Sequence, residues 1–118
     1  MRTERRLFGD RAEALAARYF LDRGFTVLDQ QWTCREGELD LVLQRGNHLH
    51  FIEVKARGAI PTQHPFESID VKKRQRIACA IERWQKAHPW YAHLTYQVDA
   101  FCVWREEGNW KQEWIEGM

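Results

Sequence analysis

From residue 3 to residue 22 the apolar positions Leu7, Phe8, Leu15, Ala16, Tyr19 and Phe20 recur three and four apart, the period of a helix with one buried face. The intervening alanines favour helix and Gly24 is a natural C-terminal stop, so a first helix is expected over Thr3–Asp22. The period then changes. "FTVLDQQWT" is rich in β-branched and aromatic residues and reads as a first strand. "GELDLVLQ" and "LHFIEVKAR" read as the second and third, joined across Gly46-Asn47, two residues that accept the positive φ of a hairpin turn. "GAIPTQHPF" has no period and is expected to be a loop. Ser68 or Asp70 then caps a second helix that runs to about Ala87, with an apolar stripe of Ile77, Ala80, Ile81 and Trp84, and Pro89 ends it. "TYQVDAFCVWR" and "WKQEWI" complete the chain as a fourth strand and a short fifth. The order α-β-β-β-α-β with a small C-terminal β addition implies an α/β (α+β) fold, a mixed sheet flanked by helices, in a single domain spanning 1–118.

The hairpin carries charge where folding alone would not put it. With Gly46-Asn47 as the turn, Asp40 is expected to face Glu53, and Glu38 to face Lys55. These four share one face, while Leu39, Leu41 and Leu43 with Val54, Ile52 and His50 form the other, expected to be core. Opposed carboxylates in a sheet lie about 4.5–5.5 Å apart at Cβ and repel. A divalent cation between them reverses that sign, because hard cations take carboxylate oxygens. Two acids, a metal and a lysine are the parts needed to hydrolyse a phosphodiester. Surface acids paired with Lys55 and Arg57 would give the same string, so both readings stand at this point. Glu38, opposite Lys55, reads as a residue that holds the amine rather than one that reacts.

Composition narrows the setting. The chain has 118 residues, 44% hydrophobic and 30% charged, which is ordinary for a folded domain. No apolar run approaches a membrane span, and the N-terminus lacks the apolar centre of a secretory signal. Cys34, Cys79 and Cys102 are odd in number and widely spaced, which suits a reducing cytoplasm and offers no disulfide framework. Net charge is +1, so nucleic acid would have to meet a local basic face. Lys72, Lys73, Arg74 and Arg76 supply one at the start of the second helix, extended by Arg57 and Lys55. Cations there oppose the helix dipole, so stability gives little reason for them and phosphate contact would. A solvated basic helix surface is the alternative. Of six tryptophans, Trp84 and Trp104 fit core positions; Trp32, Trp90, Trp110 and Trp114 fit core or contact positions better than a base-stacking platform. The five histidines are scattered and none has a placed partner.

"GDRAEALAARYFLDRGFTVL", "GELDLVL", "FIEVKAR", "IDVKKRQRI", "VDAFCV" and the terminal "EWIEGM" together are similar to the YraN-like family of small bacterial proteins. Asp40 and "EVK" (Glu53-Val54-Lys55) resemble the P-D-(D/E)-x-K nuclease superfamily, with Leu39 where the motif has proline. The resemblance extends to archaeal Holliday-junction resolvases. It implies a restriction-endonuclease-like fold and a Mg²⁺- or Mn²⁺-dependent DNA endonuclease, or a binding module of that fold with little activity. By residue it implies Asp40, Glu53 and Glu13 as metal ligands, Lys55 at the attacking water, and Lys73 as a phosphate contact. It gives Asp99 a structural or catalytic role in the fourth strand. A homodimer follows too, because junction cutters generally need two sites. "QWT" (Gln31-Trp32-Thr33) departs from the family pattern, which more often carries Asn and Arg there, so one basic contact is missing.

Overall fold

The structure, a computed structural model, describes residues 4–57 and 71–117, with side chains described for 9–56 and 71–117. The order is α1 (Glu4–Asp22), β1 (Thr26–Thr33), β2 (Glu38–Arg45), β3 (His48–Arg57), α2 (Val71–Ala87), a 3₁₀ turn at Pro89–Tyr91, β4 (Thr95–Glu106) and β5 (Asn109–Ile115). The expected 58–66 loop, the Ser68 or Asp70 cap, and the side chains of Leu7, Phe8 and Arg57 lie outside the described residues.

The five strands form one sheet in chain order. β1–β2, β2–β3 and β4–β5 are antiparallel, whereas β3 and β4 run parallel over ten residue pairs, so the link carrying α2 is a crossover. The sheet is therefore mixed, as expected. Gly46-Asn47 is the two-residue turn, closed by the Arg45–His48 pair. Only Gly46 needs a left-handed conformation, at φ 61°, which is the position where a glycine costs nothing.

Each sheet face carries its own core. On one, Ala12, Ala16 and Phe20 of α1 pack on Leu41, Leu43, Ile52, Phe101 and Val103. Small residues let α1 approach the sheet, and Phe20 and Phe101 meet with ring centroids 5.4 Å apart. On the other, Ile77, Ala80, Ile81 and Trp84 of α2 pack on Val42, Leu49 and Phe51. That is the whole apolar stripe of α2, and Trp84 is fully buried with its Nε1 donating to Asp29 at 3.1 Å. Each fully buried Leu, Ile or Phe contributes roughly 1.5–3 kcal/mol, so both helices are held by the sheet rather than by their own propensity.

Two core assignments change. Trp104 is only half-buried. Leu39 does not share a side with Leu41 and Leu43: it packs in the α2 core while they pack in the α1 core. Alternation is thus broken at Asp40, between them.

Candidate functional site

The break at Asp40 has a visible cause. The β2–β3 ladder follows the expected register as far as Leu41–Ile52 and stops there. Beyond it β2 stays with β1 to the Thr33–Glu38 pair, while β3 stays with β4 to Arg57–Trp104. The strands fork. Asp40 therefore does not face Glu53 in a ladder, and Glu38 does not face Lys55. Instead the Asp40 carboxylate enters the fork and accepts the Val54 backbone N–H at 2.8 Å, satisfying a donor that lost its strand partner.

From the fork Asp40 meets both helix sides. Carboxylate oxygens of Glu13, Glu38 and Asp40 all lie within 4.8 Å of one another. Glu13 comes from α1, and among the described residues nothing crowds Gly9, one turn earlier. Gln31 donates its side-chain amide to Glu13 Oε2. Its backbone is left-handed, at φ 48°, inside β1, a strained conformation for a residue with a side chain. The departure "QWT" thus has a local use: Gln31 holds Glu13. The Glu38 carboxylate joins the acid group, a position that strand alternation alone does not foresee.

Glu53 stands on the α2 side, among cations. Its Oε1 is 3.0 Å from Lys73 Nζ and 3.8 Å from Lys55 Nζ. Lys55 is buried, 8% exposed. Burial lowers the Lys73 pKa, but the charge of Glu53, a hydrogen bond to it and the charge of Asp40 act upward, and the net shift is upward. Lys73 therefore stays cationic. A cavity of about 230 Å³ opens here, its lining including Glu38, Asp40, Glu53, Lys73, Arg76 and Ile77.

Asp40 feels the cost of this crowding. Burial, then the charge of Glu53, push its pKa up to about 8; the Val54 hydrogen bond opposes them, and Glu13 and Glu38 push further up. A carboxylate held beside three others gains most from a cation. The donor set is entirely oxygen, which suits a hard divalent ion.

Of the remaining sequence candidates, Arg76 lines this cavity and Arg74 lines a neighbouring one. Lys72 is exposed at the start of α2. Asp99 is fully buried and lies elsewhere, accepting from His50 Nδ1 (2.8 Å), Trp114 Nε1 (3.1 Å), Gln97 Nε2 (2.8 Å) and the Gly117 N–H (2.8 Å). These hydrogen bonds link β3, β4 and β5 through one buried carboxylate. His50 thereby has a partner that sequence reasoning missed. The only signal was the pairing of two strands distant in sequence. Trp32, Trp110 and Trp114 pack against the cores, whereas Trp90 is 61% exposed.

The family model described as "Uncharacterised protein family UPF0102" matches residues 12–103, a stretch that includes Glu13, Asp40, Glu53, Lys55 and Lys73. The chain belongs to UPF0102. It is 41% identical over 99 residues to a UPF0102 protein of Synechococcus sp. (strain CC9902), covering 81% of this chain and 80% of that one. A UPF0102 protein of Chloroflexus aurantiacus is 33% identical over 103 residues, 87% of this chain and 83% of its own. A third, from Clavibacter michiganensis, is 37% identical over 81 residues, 69% of each chain. The acid group and the Glu53–Lys73 pair thus lie inside the region that defines the family. No described helix is long and apolar enough to cross a membrane.

Proposed function

We propose that this chain is a divalent-metal-dependent nuclease that hydrolyses phosphodiester bonds of nucleic acid, in the first place DNA. The observation that carries the reading is the group of Glu13, Glu38 and Asp40, with carboxylate oxygens within 4.8 Å of one another. Folding alone has no use for it, since each acid raises the cost of ionising the next. Glu13, Glu38 and Asp40, with Glu53 beside them, are the residues that would hold Mg²⁺ or Mn²⁺. Once bound, such an ion supplies charge neutralisation and polarises a phosphate oxygen.

The chain's own residues do the rest. Lys73 and Arg76 line the cavity and offer cations to the phosphate oxygens. Lys55, buried beside Glu53, donates to the charge that builds on phosphorus oxygens as water adds and the bond to the leaving oxygen breaks. Gln31 fixes Glu13, and Val54 fixes Asp40, so the acids need not reorganise. This reading puts the chain with the P-D-(D/E)-x-K nucleases, with branched DNA as substrate and two copies acting together to cut both strands of a junction.

A second reading has its own support. Lys73 already neutralises Glu53 at 3.0 Å without a metal, as in a module that binds nucleic acid and cuts it little or not at all. A cleavage assay on linear, flapped and four-way-junction DNA with Mg²⁺ or Mn²⁺ separates the two. The nuclease cuts at least one of these, and Asp40→Asn and Lys55→Met each lower the rate by at least about 100-fold, the scale of losing one charge-stabilising group. Binding without cutting supports the module. Equal cleavage by wild type and both variants overturns the nuclease.

A further inference from the structure

A second cavity, of about 260 Å³, lies next to the acid site. Its lining is Arg74, Ile77, Ala78 and Ile81 from α2, with Tyr96 and Val98 from β4. Ile77 lines both cavities, so the two adjoin along α2. The cavity exists because the apolar stripe of α2 seats on β2 and β3, leaving Tyr96 and Val98 of β4 only partly covered. Tyr96 is 48% exposed, yet its ring is set edge-on to the buried Phe51, with centroids 5.5 Å apart at 88°. An aromatic ring thus lines a mostly apolar cavity whose lining also includes Arg74.

We propose that this cavity is the subsite for an unpaired nucleobase, one or two nucleotides from the phosphate at the acid site. The proposal rests on the phosphodiester reading above and names its substrate class: a strand that is single or locally unpaired. The chemistry matches at each wall. Tyr96 offers a stacking face, Ile77, Ala78 and Ile81 an apolar floor, and Arg74 a donor for base-edge oxygens and nitrogens. The charge matches as well, since Lys73 and Arg76 would hold the backbone while Arg74 follows on the same helix. From Lys73 to Ala78 the rise along α2 is roughly 7–8 Å, within reach of a neighbouring nucleotide. A base stacked in a duplex cannot enter; it has to be unpaired or extruded.

The test compares a single-stranded oligothymidylate with an abasic oligonucleotide of equal length and charge, titrated by fluorescence anisotropy with Ca²⁺ in place of Mg²⁺. Wild type is expected to bind the base-bearing strand about tenfold more tightly, the scale of one stacked base. Ala78→Trp fills the cavity from an exposed helix position and should remove that preference while leaving affinity for the abasic strand unchanged. Tyr96→Leu, which keeps an apolar contact to Phe51, should weaken it in the same direction. Equal binding of both strands by wild type, or a preference that survives Ala78→Trp, overturns the proposal. So does a change of oligomeric state in Ala78→Trp with base preference intact, which would make a second copy of the chain the occupant. None of these outcomes bears on cleavage of the phosphodiester, which the Asp40→Asn assay decides separately.

Discussion

Lys73 Nζ stands 3.0 Å from Glu53 Oε1, so the acid of the "EVK" triplet is held by a cation of α2 while Asp40 remains with Glu13 and Glu38. The arrangement is a competition. Under the proposed function, a divalent ion and the Lys73 ammonium would compete for Glu53, and a phosphate would compete for Lys73.

The first consequence concerns Lys73→Met. Freed of its lysine, Glu53 should take part more fully in cation binding, and Mn²⁺ affinity measured by calorimetry should rise. With Lys73 more than a third exposed, the gain should be modest, about 0.5–1 kcal/mol or two- to fivefold. Affinity for DNA should fall in the same variant, with a shallower salt dependence. A drop in Mn²⁺ affinity would contradict the competition.

Stability should depend on pH through Asp40. Its pKa is about 8 in the folded chain against 3.8 as the ordinary value, so the folded state holds a proton that the unfolded state gives up. The stability this group contributes is therefore complete below about pH 4 and is lost as pH rises to about 8. In thermal melts, wild type should lose Tm across that window relative to Asp40→Asn, whose curve should be flatter. Mn²⁺ at pH 8 should restore wild type and not the variant. Parallel curves for the two proteins would refute this assignment.

Asp99 should matter for stability first. Asp99→Ala strands the Trp114 and Gly117 N–H groups and leaves His50 without its partner, so a loss of about 3–5 kcal/mol is expected in urea unfolding. A cost below about 1 kcal/mol would show that the network is not holding β5.

Much of this was legible in the chain, and the exceptions have physical reasons. Strand and helix limits followed from period and turn chemistry, and the Gly46-Asn47 turn fixed the register through Leu41–Ile52. Strict alternation then misplaced Leu39 and paired Asp40 with Glu53, because no local signal announces that two strands part. Glu13 was suggested by family resemblance, but its grip by Gln31 was not, since it depends on a strained backbone and on α1 crossing that strand. His50 and Asp99 meet only because β3 and β4 pair in parallel across the α2 crossover.

The central claim is that Glu13, Glu38 and Asp40 hold a divalent cation. Titration of the protein with Mn²⁺, followed by electron paramagnetic resonance of the free ion, tests it most directly. Wild type should remove Mn²⁺ from solution at a saturable site, Asp40→Asn should abolish uptake, and Glu13→Gln and Glu38→Gln should each weaken it by about tenfold, the scale of losing one charged ligand or its support. Uptake that is absent with and without a DNA oligonucleotide, or that survives Asp40→Asn unchanged, would contradict the account.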